Sequence, residues 1–278
     1  MLSMLKLLIT TLLLSSVLLA SSQNAKVEDF LEDSFSNNPN VVSLKVKVLE
    51  RVPLKALKGW DSLIVNIEAT VKAKPKNRNV KQRMIWFTNG TIITKELTNM
   101  ENGKNLADDV SPKFKNSYYK KENLIYGNVN AKHKVVIFSD PLCPFCKGFV
   151  PEAIEYMKKE PSKFAIYYFH FPLVRLHPAA VELSTAAVAA ELKGVKDVVL
   201  KLYKVDVNSK ERDVKKILSA FNKKLGTNLK PSDLKSAAVQ KHMKSDENIA
   251  REVMVGGTPT MYFDGKIDKT KQKYLKVK

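Results

Sequence analysis

The only two cysteines of this 278-residue chain, Cys143 and Cys146, frame the tetrapeptide Cys143-Pro144-Phe145-Cys146. A crosslink between such close residues would stabilise the fold little, because the entropy removed from the unfolded chain grows with the length of the closed loop. The spacing is instead typical of a redox site at the start of a helix. There, unpaired backbone N–H groups and the helix dipole favour the thiolate, which is the reactive form of cysteine.

Other uses of a cysteine pair fit the sequence less well. A zinc site would need further thiols or histidines in an H-x-x-x-H pattern, and the sequence contains neither. Haem attachment would need histidine directly after the second cysteine, where this chain has Lys147. A purely structural pair at a helix start remains open. We therefore expect no metal and no cofactor.

The segments around the cysteines predict a β-α-β unit. Lys134 to Ser139 is a continuous apolar run of the kind buried in a central strand. Phe145 to Lys159 has helical spacing, and Pro144 suits the first turn because it has no N–H to donate. Phe164 to Phe171 reads as the next strand. The crossover helix of the unit would begin at the cysteine pair.

The rest of the C-terminal half is predicted to be mainly helical. Asn123 to Asn130 reads as a strand that precedes the β-α-β unit, and the pattern is helical from His177 to about Ala250. Pro259 to Phe263 and Lys266 to Ile267 then form a strand and hairpin around Asp264-Gly265.

The N-terminal part predicts a small, mainly antiparallel sheet. Val41 to Val48 and Ser62 to Lys74 alternate polar and apolar residues, and Asn89-Gly90 is a signal for a two-residue type I′ hairpin turn. Residues 102–122 are polar and lysine-rich, which favours a linker with a helical stretch. The predicted fold class is α+β.

The first residues predict a secretory signal. Lys6 precedes an apolar run from Leu7 to Leu19, and the small residues Ala20-Ser21-Ser22 follow it. Residues 1–22 are therefore interpreted as a cleaved signal peptide, with an uncleaved membrane anchor as the alternative. Export would place the cysteines in an oxidising compartment, where a disulfide persists.

The net charge of +19 comes mostly from lysines spread along the whole chain. Nucleic-acid binders typically place basic residues in stripes with interleaved aromatic residues, and no such stripe is present. We expect a solvated, lysine-rich surface and no nucleic-acid partner.

The order of parts from about Asn123 to the C-terminus, ending in Gly256-Gly257-Thr258-Pro259-Thr260, resembles the thioredoxin fold. The segment Phe138-Ser139-Asp140-Pro141-Leu142 and the tetrapeptide after it resemble the bacterial Dsb branch of that fold. The separate sheet domain ahead of them is similar to that of the periplasmic DsbC and DsbG disulfide isomerases.

This resemblance implies a domain organisation. Residues 23–101 would be an N-terminal dimerisation domain, and 102–122 a linker helix. Residues 123–278 would be the thioredoxin-like catalytic domain, with a helical insertion at about 177–250. In the DsbC and DsbG family the first domain forms a V-shaped homodimer whose active sites face a shared cleft.

The resemblance also implies roles for site residues. Cys143 would be the exposed attacking thiol, and Cys146 the buried thiol that resolves a mixed disulfide. Thr258 and Pro259 would form the cis-proline loop, which packs against the pair and binds extended substrate. Pro144-Phe145 resembles the dipeptide of DsbG-like proteins and lacks the histidine of DsbA.

Three further residues bear on the chemistry of the pair. Thioredoxin has a buried acid where this chain has Ile137, so an internal proton acceptor would be absent or supplied differently. Asp140, as in the isomerases, is expected to cap the approach to the helix. His170 and His177 are expected to have no catalytic role.

The leading functional hypothesis is a periplasmic disulfide isomerase that acts on unfolded or misoxidised exported proteins through a mixed disulfide at Cys143. A DsbD-like membrane reductase would keep its cysteine pair reduced. One alternative is a dimeric DsbA-like oxidase that is recharged by a DsbB-like protein. Another, from a different class, is a periplasmic chaperone that holds unfolded chains in the dimer cleft.

Overall fold

The computed structural model describes residues 22–277, which divide into two compact units on either side of the Val110–Ser111 bond. The predicted signal peptide lies outside the described residues, except for Ser22. Between residues 22 and 277, no helix combines the length and the apolar character needed to cross a membrane.

The N-terminal unit is a helix packed on a four-stranded antiparallel sheet. Helix α1 (22–36) is followed by β1 (Val41–Pro53), β2 (Asp61–Val71), β3 (Arg78–Thr88) and β4 (Ile93–Thr94), which pair in that order. The core forms where one face of α1 meets alternate side chains of the strands. It consists of Val27, Leu31, Val46, Val48, Leu63, Val65 and Trp86.

The outer edge of β1 is partly occupied by carboxylates of α1. The backbone N–H of Val46 donates to Glu32 (2.7 Å), and that of Val48 donates to Glu28 (2.8 Å). These two N–H groups face away from β2 and would otherwise be open to another strand. The helix therefore covers this stretch of the sheet edge.

The turn at Asn89-Gly90 differs from the predicted two-residue type I′ turn. Strand β3 ends at Thr88 and β4 begins at Ile93, so the connection has four residues. Gly90 has a φ of +89°, but Asn89 is not among the described residues with positive φ. The Asn89 side chain instead accepts hydrogen bonds from the backbone of Thr91 and Ile92, which stabilises the longer loop.

The prediction of a linker helix at 102–122 is wrong, because this segment forms only short 3₁₀ turns. This segment contains the short 3₁₀ turns Leu106–Asp109 and Asn116–Tyr118 and the start of a third, Lys121–Asn123, but no α-helix. Gly103 adopts a φ of +66°, and Pro112 has no N–H for a helical hydrogen bond. These two residues interrupt the segment before a longer helix can form.

The C-terminal unit has a five-stranded sheet in the order β5-β7-β6-β8-β9. Its strands are β5 (Leu124–Tyr126), β6 (His133–Ser139), β7 (Phe164–His170), β8 (Thr260–Phe263) and β9 (Lys266–Ile267). Helix α2 (Pro144–Met157) connects β6 to its parallel neighbour β7, and the remaining pairs are antiparallel.

Between β7 and β8 the chain is largely helical. The helices are α3 (Ala179–Leu192), α4 (Val198–Leu202), α5 (Val214–Leu225), α6 (Pro231–Leu234) and α7 (Ala237–Glu252). Helix α3 is apolar around most of its circumference, as a helix buried on several sides must be. Its alanines pack against α5 through Ile217, Leu218 and Phe221.

Both faces of the central strands are covered, which holds α2 in a fixed position. Val135 and Ile137 of β6 pack on the α2 side with Val150, Ile154 and Met157. The alternate residues Val136 and Phe138 pack on the other side, in a cluster that includes Phe114, Tyr262 and residues of α7. The start of α2 is therefore fixed beside the end of β6.

Candidate active site

Cys143 lies at the junction of strand and helix. Strand β6 ends at Ser139, and α2 begins at Pro144 with Cys143 as its N-cap residue. The Cys143 carbonyl accepts the first helical hydrogen bond from Lys147 N (2.9 Å). Pro144 occupies the first helical position, where a missing N–H costs nothing. Cys143 thus lies at the N-terminus of α2, the end of a helix that favours a thiolate.

The two thiols are both buried. Cys143 is 4% exposed and Cys146 is fully buried, so the expectation of an exposed attacking thiol is wrong. Cys143 is covered because it packs between α2 and the loop that ends in Pro259, whereas Phe145 points outward and is 79% exposed. Cys143 is nevertheless the slightly more exposed residue of the pair.

The segment Thr258-Pro259 lies against Cys143. The Cys143 thiol is 3.7 Å from the Thr258 carbonyl oxygen, across 115 residues of sequence. The peptide bond between Thr258 and Pro259 is cis. The structure therefore brings together the predicted site residues Cys143, Cys146, Thr258 and Pro259.

Cys146 sits in an environment that disfavours its charged form. Burial raises the pKa of the Cys146 thiol to about 11, and the Cys143 sulfur adds to this effect. Hydrogen bonding to the hydroxyls of Ser139 and Thr258 acts in the opposite direction and lowers the pKa. Among the described residues, the buried Thr258 hydroxyl has no oxygen or nitrogen partner.

Asp140 organises the loop that carries the cysteines. Its carboxyl group is completely buried, and Oδ1 accepts hydrogen bonds from the backbone N–H of Leu142 (2.7 Å) and Cys143 (3.2 Å). Oδ2 accepts one from Leu173 N (2.7 Å) and lies 2.9 Å from His177 Nδ1. The expected capping role thus extends to a second loop.

The contact between Asp140 and His177 was missed by sequence reasoning. The sequence predicts no catalytic role for His177, yet its ring meets the carboxyl group three positions before Cys143. The signal was an acid just before the cysteine motif together with a histidine just before the helical stretch. Nothing local in the sequence indicates that the two side chains meet.

The loop after β7 adds exposed apolar side chains to the cysteine end of the unit. Val174 and Leu176 are 57% and 58% exposed, and the loop that carries them is fixed to Asp140 at Leu173 and His177. Together with Phe145 they provide apolar surface near the thiol pair.

A second buried polar cluster joins β7 to α7 in this unit. Asn123 Nδ2 donates to Asp246 (2.8 Å), and the His170 backbone N–H donates to the other Asp246 oxygen (2.8 Å). Burial raises the pKa of Asp246 to about 8, although these two hydrogen bonds oppose the shift. Burial and the neighbouring His242 lower the pKa of His170 to about 3.

Within residues 22–277, no three His, Cys, Asp or Glu side chains are grouped in a way that could hold a metal ion.

Part of this chain is similar to several solved bacterial structures. A search of the curated proteins found no match. Among solved structures, oxidised BdbD from Bacillus subtilis is 19% identical, with a TM-score of 0.45, and the match covers 60% of this chain and 98% of that one. The thiol-disulfide exchange protein α-DsbA2 from Wolbachia pipientis is 19% identical, with a TM-score of 0.44 and coverage of 55% and 82%. ScsC from Proteus mirabilis is 20% identical, with a TM-score of 0.44 and coverage of 54% and 67%.

The family model Thioredoxin_4, described as thioredoxin, matches residues 119–278, which is more than half of the chain. This range contains the β-α-β unit, both cysteines and the Thr258-Pro259 segment. The chain therefore belongs to the thioredoxin family and is a thiol–disulfide oxidoreductase.

Proposed function

We propose that this protein is a disulfide isomerase of the DsbC and DsbG type, which rearranges disulfides of exported proteins through a mixed disulfide at Cys143. The observation that carries the proposal is the placement of Cys143. Its sulfur lies at the N-terminus of α2, 3.7 Å from the Thr258 carbonyl, while Cys146 is completely buried behind it.

The chemistry follows from the position of Cys143 at the N-terminus of α2, where the thiolate is favoured. The Cys143 thiolate attacks a substrate disulfide, which forms a Cys143–substrate bond and releases the other substrate sulfur as a thiolate. That thiolate can attack a different disulfide of the same substrate, and Cys143 leaves when the substrate closes a new bond. If the substrate stalls, Cys146 attacks the Cys143 sulfur, the pair is oxidised, and the substrate departs reduced by two electrons.

The surface around the pair suits an unfolded polypeptide. Phe145, Val174 and Leu176 offer exposed apolar contacts. The backbone beside Pro259 offers a carbonyl to an extended chain, which is a general mode of peptide recognition. Unfolded or misoxidised proteins are therefore the substrate class that we propose.

The proposal includes a homodimer built through the N-terminal unit. That unit has exposed apolar side chains, among them Val42, Leu49 and Val52 of β1. Because Glu28 and Glu32 occupy the N–H groups of Val46 and Val48, pairing of β1 with another copy would have to avoid this stretch. Sedimentation of the full chain tests this part: a monomer at micromolar concentration would contradict it.

We also propose export to the periplasm after removal of residues 1–22, and a DsbD-like membrane reductase as the redox partner. Intact-mass measurement of the protein recovered from the periplasm would test the cleavage. Trapping of free thiols in untreated cells would test the partner, because an isomerase pair should be mostly reduced.

The decisive experiment compares two single-cysteine variants with the native protein in refolding of a scrambled disulfide protein. Cys143→Ser should abolish turnover, whereas Cys146→Ser should accumulate mixed disulfides with the substrate that are visible under non-reducing conditions. Refolding by Cys143→Ser would contradict the assignment of the attacking thiol. If Cys143→Ser prevented the aggregation of unfolded chains as well as the native protein does, that result would indicate a chaperone whose action does not depend on the thiol.

A dimeric DsbA-like oxidase is the second candidate. The observation that favours it is the run of helices α3 to α7 between β7 and β8, because the segment Phe169-His170-Phe171-Pro172-Leu173 ahead of this run resembles a stretch of DsbA-like helical insertions. A cysteine pair that is mostly oxidised in untreated cells would support this candidate over the isomerase.

A further inference from the structure

Three buried hydroxyl groups converge beside Cys146. Ser139 is the last residue of β6, Tyr168 lies in β7, and Tyr203 directly follows α4. The Tyr203 hydroxyl donates to Ser139 Oγ (2.6 Å) and lies 2.9 Å from the Tyr168 hydroxyl. Ser139 is completely buried, and both tyrosines are at least nine-tenths buried.

The hydroxyl protons can be assigned along this chain. Each hydroxyl has one proton, so when Tyr203 donates to Ser139, its own oxygen must accept in the contact with Tyr168. Tyr168 is then the donor at the far end. Ser139 then donates to neither tyrosine, so its proton is available for the Cys146 sulfur, whose pKa the Ser139 hydroxyl lowers.

A negative sulfur would strengthen this order. Hydrogen bonds to a charged acceptor are stronger than neutral ones, and each donor polarises the next along a chain. The three protons would then all point toward Cys146. The rigid rings of Tyr168 and Tyr203, held between the sheet and α4, fix the chain in place.

We propose that Ser139, Tyr203 and Tyr168 form a positioning chain that holds a hydrogen-bond donor on the Cys146 sulfur and so assists its attack on the mixed disulfide. In this step Cys146 loses its proton to solvent, and its sulfur bonds to Cys143. The Cys143–substrate bond breaks, and the substrate leaves as a thiolate that takes up a proton. The chain takes the place of a buried acid, since the corresponding strand position is the apolar Ile137.

The inference rests on the proposed function, because it concerns the resolving step of the same site. A hydrogen-bond donor on the sulfur matters most for a thiol such as Cys146, because burial raises its pKa to about 11 and leaves little thiolate at neutral pH. Any donor aimed at the sulfur increases that fraction, and a hydrogen bond to a charged group contributes enough for about a tenfold change.

The test separates the two thiol steps with oxidised glutathione as the probe. Reduced full-length protein is mixed with excess oxidised glutathione, quenched with acid at intervals, and analysed by mass. The first product is the Cys143–glutathione adduct, and the second is the Cys143–Cys146 disulfide. Tyr203→Phe removes one hydroxyl and keeps the ring, and Ser139→Ala removes the donor on the sulfur.

We expect adduct formation at the native rate in both variants. Closure of the pair should be about two- to fivefold slower in Tyr203→Phe and about tenfold or more slower in Ser139→Ala. The matched control is Tyr167→Phe, which deletes a tyrosine hydroxyl from the opposite face of the same strand. It should behave as the native protein does.

Closure at the native rate in folded Tyr203→Phe would overturn the positioning chain, as would equal slowing in Tyr167→Phe. If Ser139→Ala does not fold, Tyr203→Phe decides the question by itself. A native protein that forms neither the adduct nor the pair disulfide would instead overturn the proposed function, so the two failures are distinguishable.

Discussion

Replacing Asp140 by alanine should destabilise the C-terminal unit far more than loss of an ordinary helix cap. The carboxyl group is fully buried and is the only side chain that accepts from Leu142 N and Leu173 N among the hydrogen bonds described for residues 22–277. Cys143 N keeps a second acceptor in the Asp140 backbone carbonyl, 3.2 Å away. The N–H groups of the buried Leu142 and the half-buried Leu173 would therefore lose their partner.

The magnitude follows from that count. A buried donor without a partner costs about 1–3 kcal/mol, so Asp140→Ala should lower the free energy of unfolding by about 2–6 kcal/mol. Asp140→Asn keeps one acceptor oxygen, which can serve either Leu142 N–H or Leu173 N–H. Its NH2 group faces the other N–H and cannot accept from it, so the loss of unfolding free energy should be about half that of Asp140→Ala. The matched control is Asp213→Ala, an exposed N-cap that accepts from Lys215 N (2.9 Å), with an expected cost of about 1 kcal/mol.

The assay is urea unfolding followed by far-ultraviolet circular dichroism. Helices α2 to α7 all belong to the C-terminal unit, so the helical signal reports mainly on it. Both tryptophans, Trp60 and Trp86, belong to the N-terminal unit, and their fluorescence reports on that unit in the same sample. An Asp140→Ala unfolding free energy within about 1 kcal/mol of the Asp213→Ala value would refute the reasoning.

Three further predictions concern other parts of the C-terminal unit. Phe145→His should make the reduction potential of the pair less negative in glutathione equilibration, because histidine adds a donor for the thiolate; Phe145→Leu should not. Burial raises the pKa of Asp246 to about 8, so the folded protein holds this proton more tightly than the unfolded chain does. The contribution of Asp246 to stability is therefore fully present below pH 4 and is lost as pH rises toward 8. Asp246→Asn should therefore gain stability relative to the native protein between pH 5 and 8, by up to about 1.4 kcal/mol per pH unit in urea unfolding; a constant difference would contradict this. Gly127→Ala places a Cβ against the backbone of Phe164 and should unfold at clearly lower urea than Gly194→Ala, which has a similar positive φ but open space; equal midpoints would contradict the clash.

The local patterns predicted much of the C-terminal sheet. The apolar run before Cys143 is strand β6, the periodic segment after it is α2, and the run at Phe164 is β7. Asp264 and Gly265 both have positive φ between β8 and β9, as expected for their residue types in a two-residue hairpin. Such signals are readable because each depends on residues only a few positions apart.

The prediction was weaker where competing local interactions decide the outcome. At Asn89-Gly90 the asparagine side chain bonds to the following backbone and produces a longer loop than the dipeptide suggests. In the predicted linker helix, single residues that break a helix outweigh the composition of the whole segment.

By itself, the sequence determined the spacing of Cys143 and Cys146 and their position between a strand and a helix, because these are properties of contiguous residues. Only the tertiary structure decided that both thiols are buried, that Asp140 meets His177 across 37 residues, and that hydroxyls from two strands and a helix end converge on Cys146. Burial and long-range hydrogen bonds depend on how the elements pack, and periodicity along the chain contains no record of that packing.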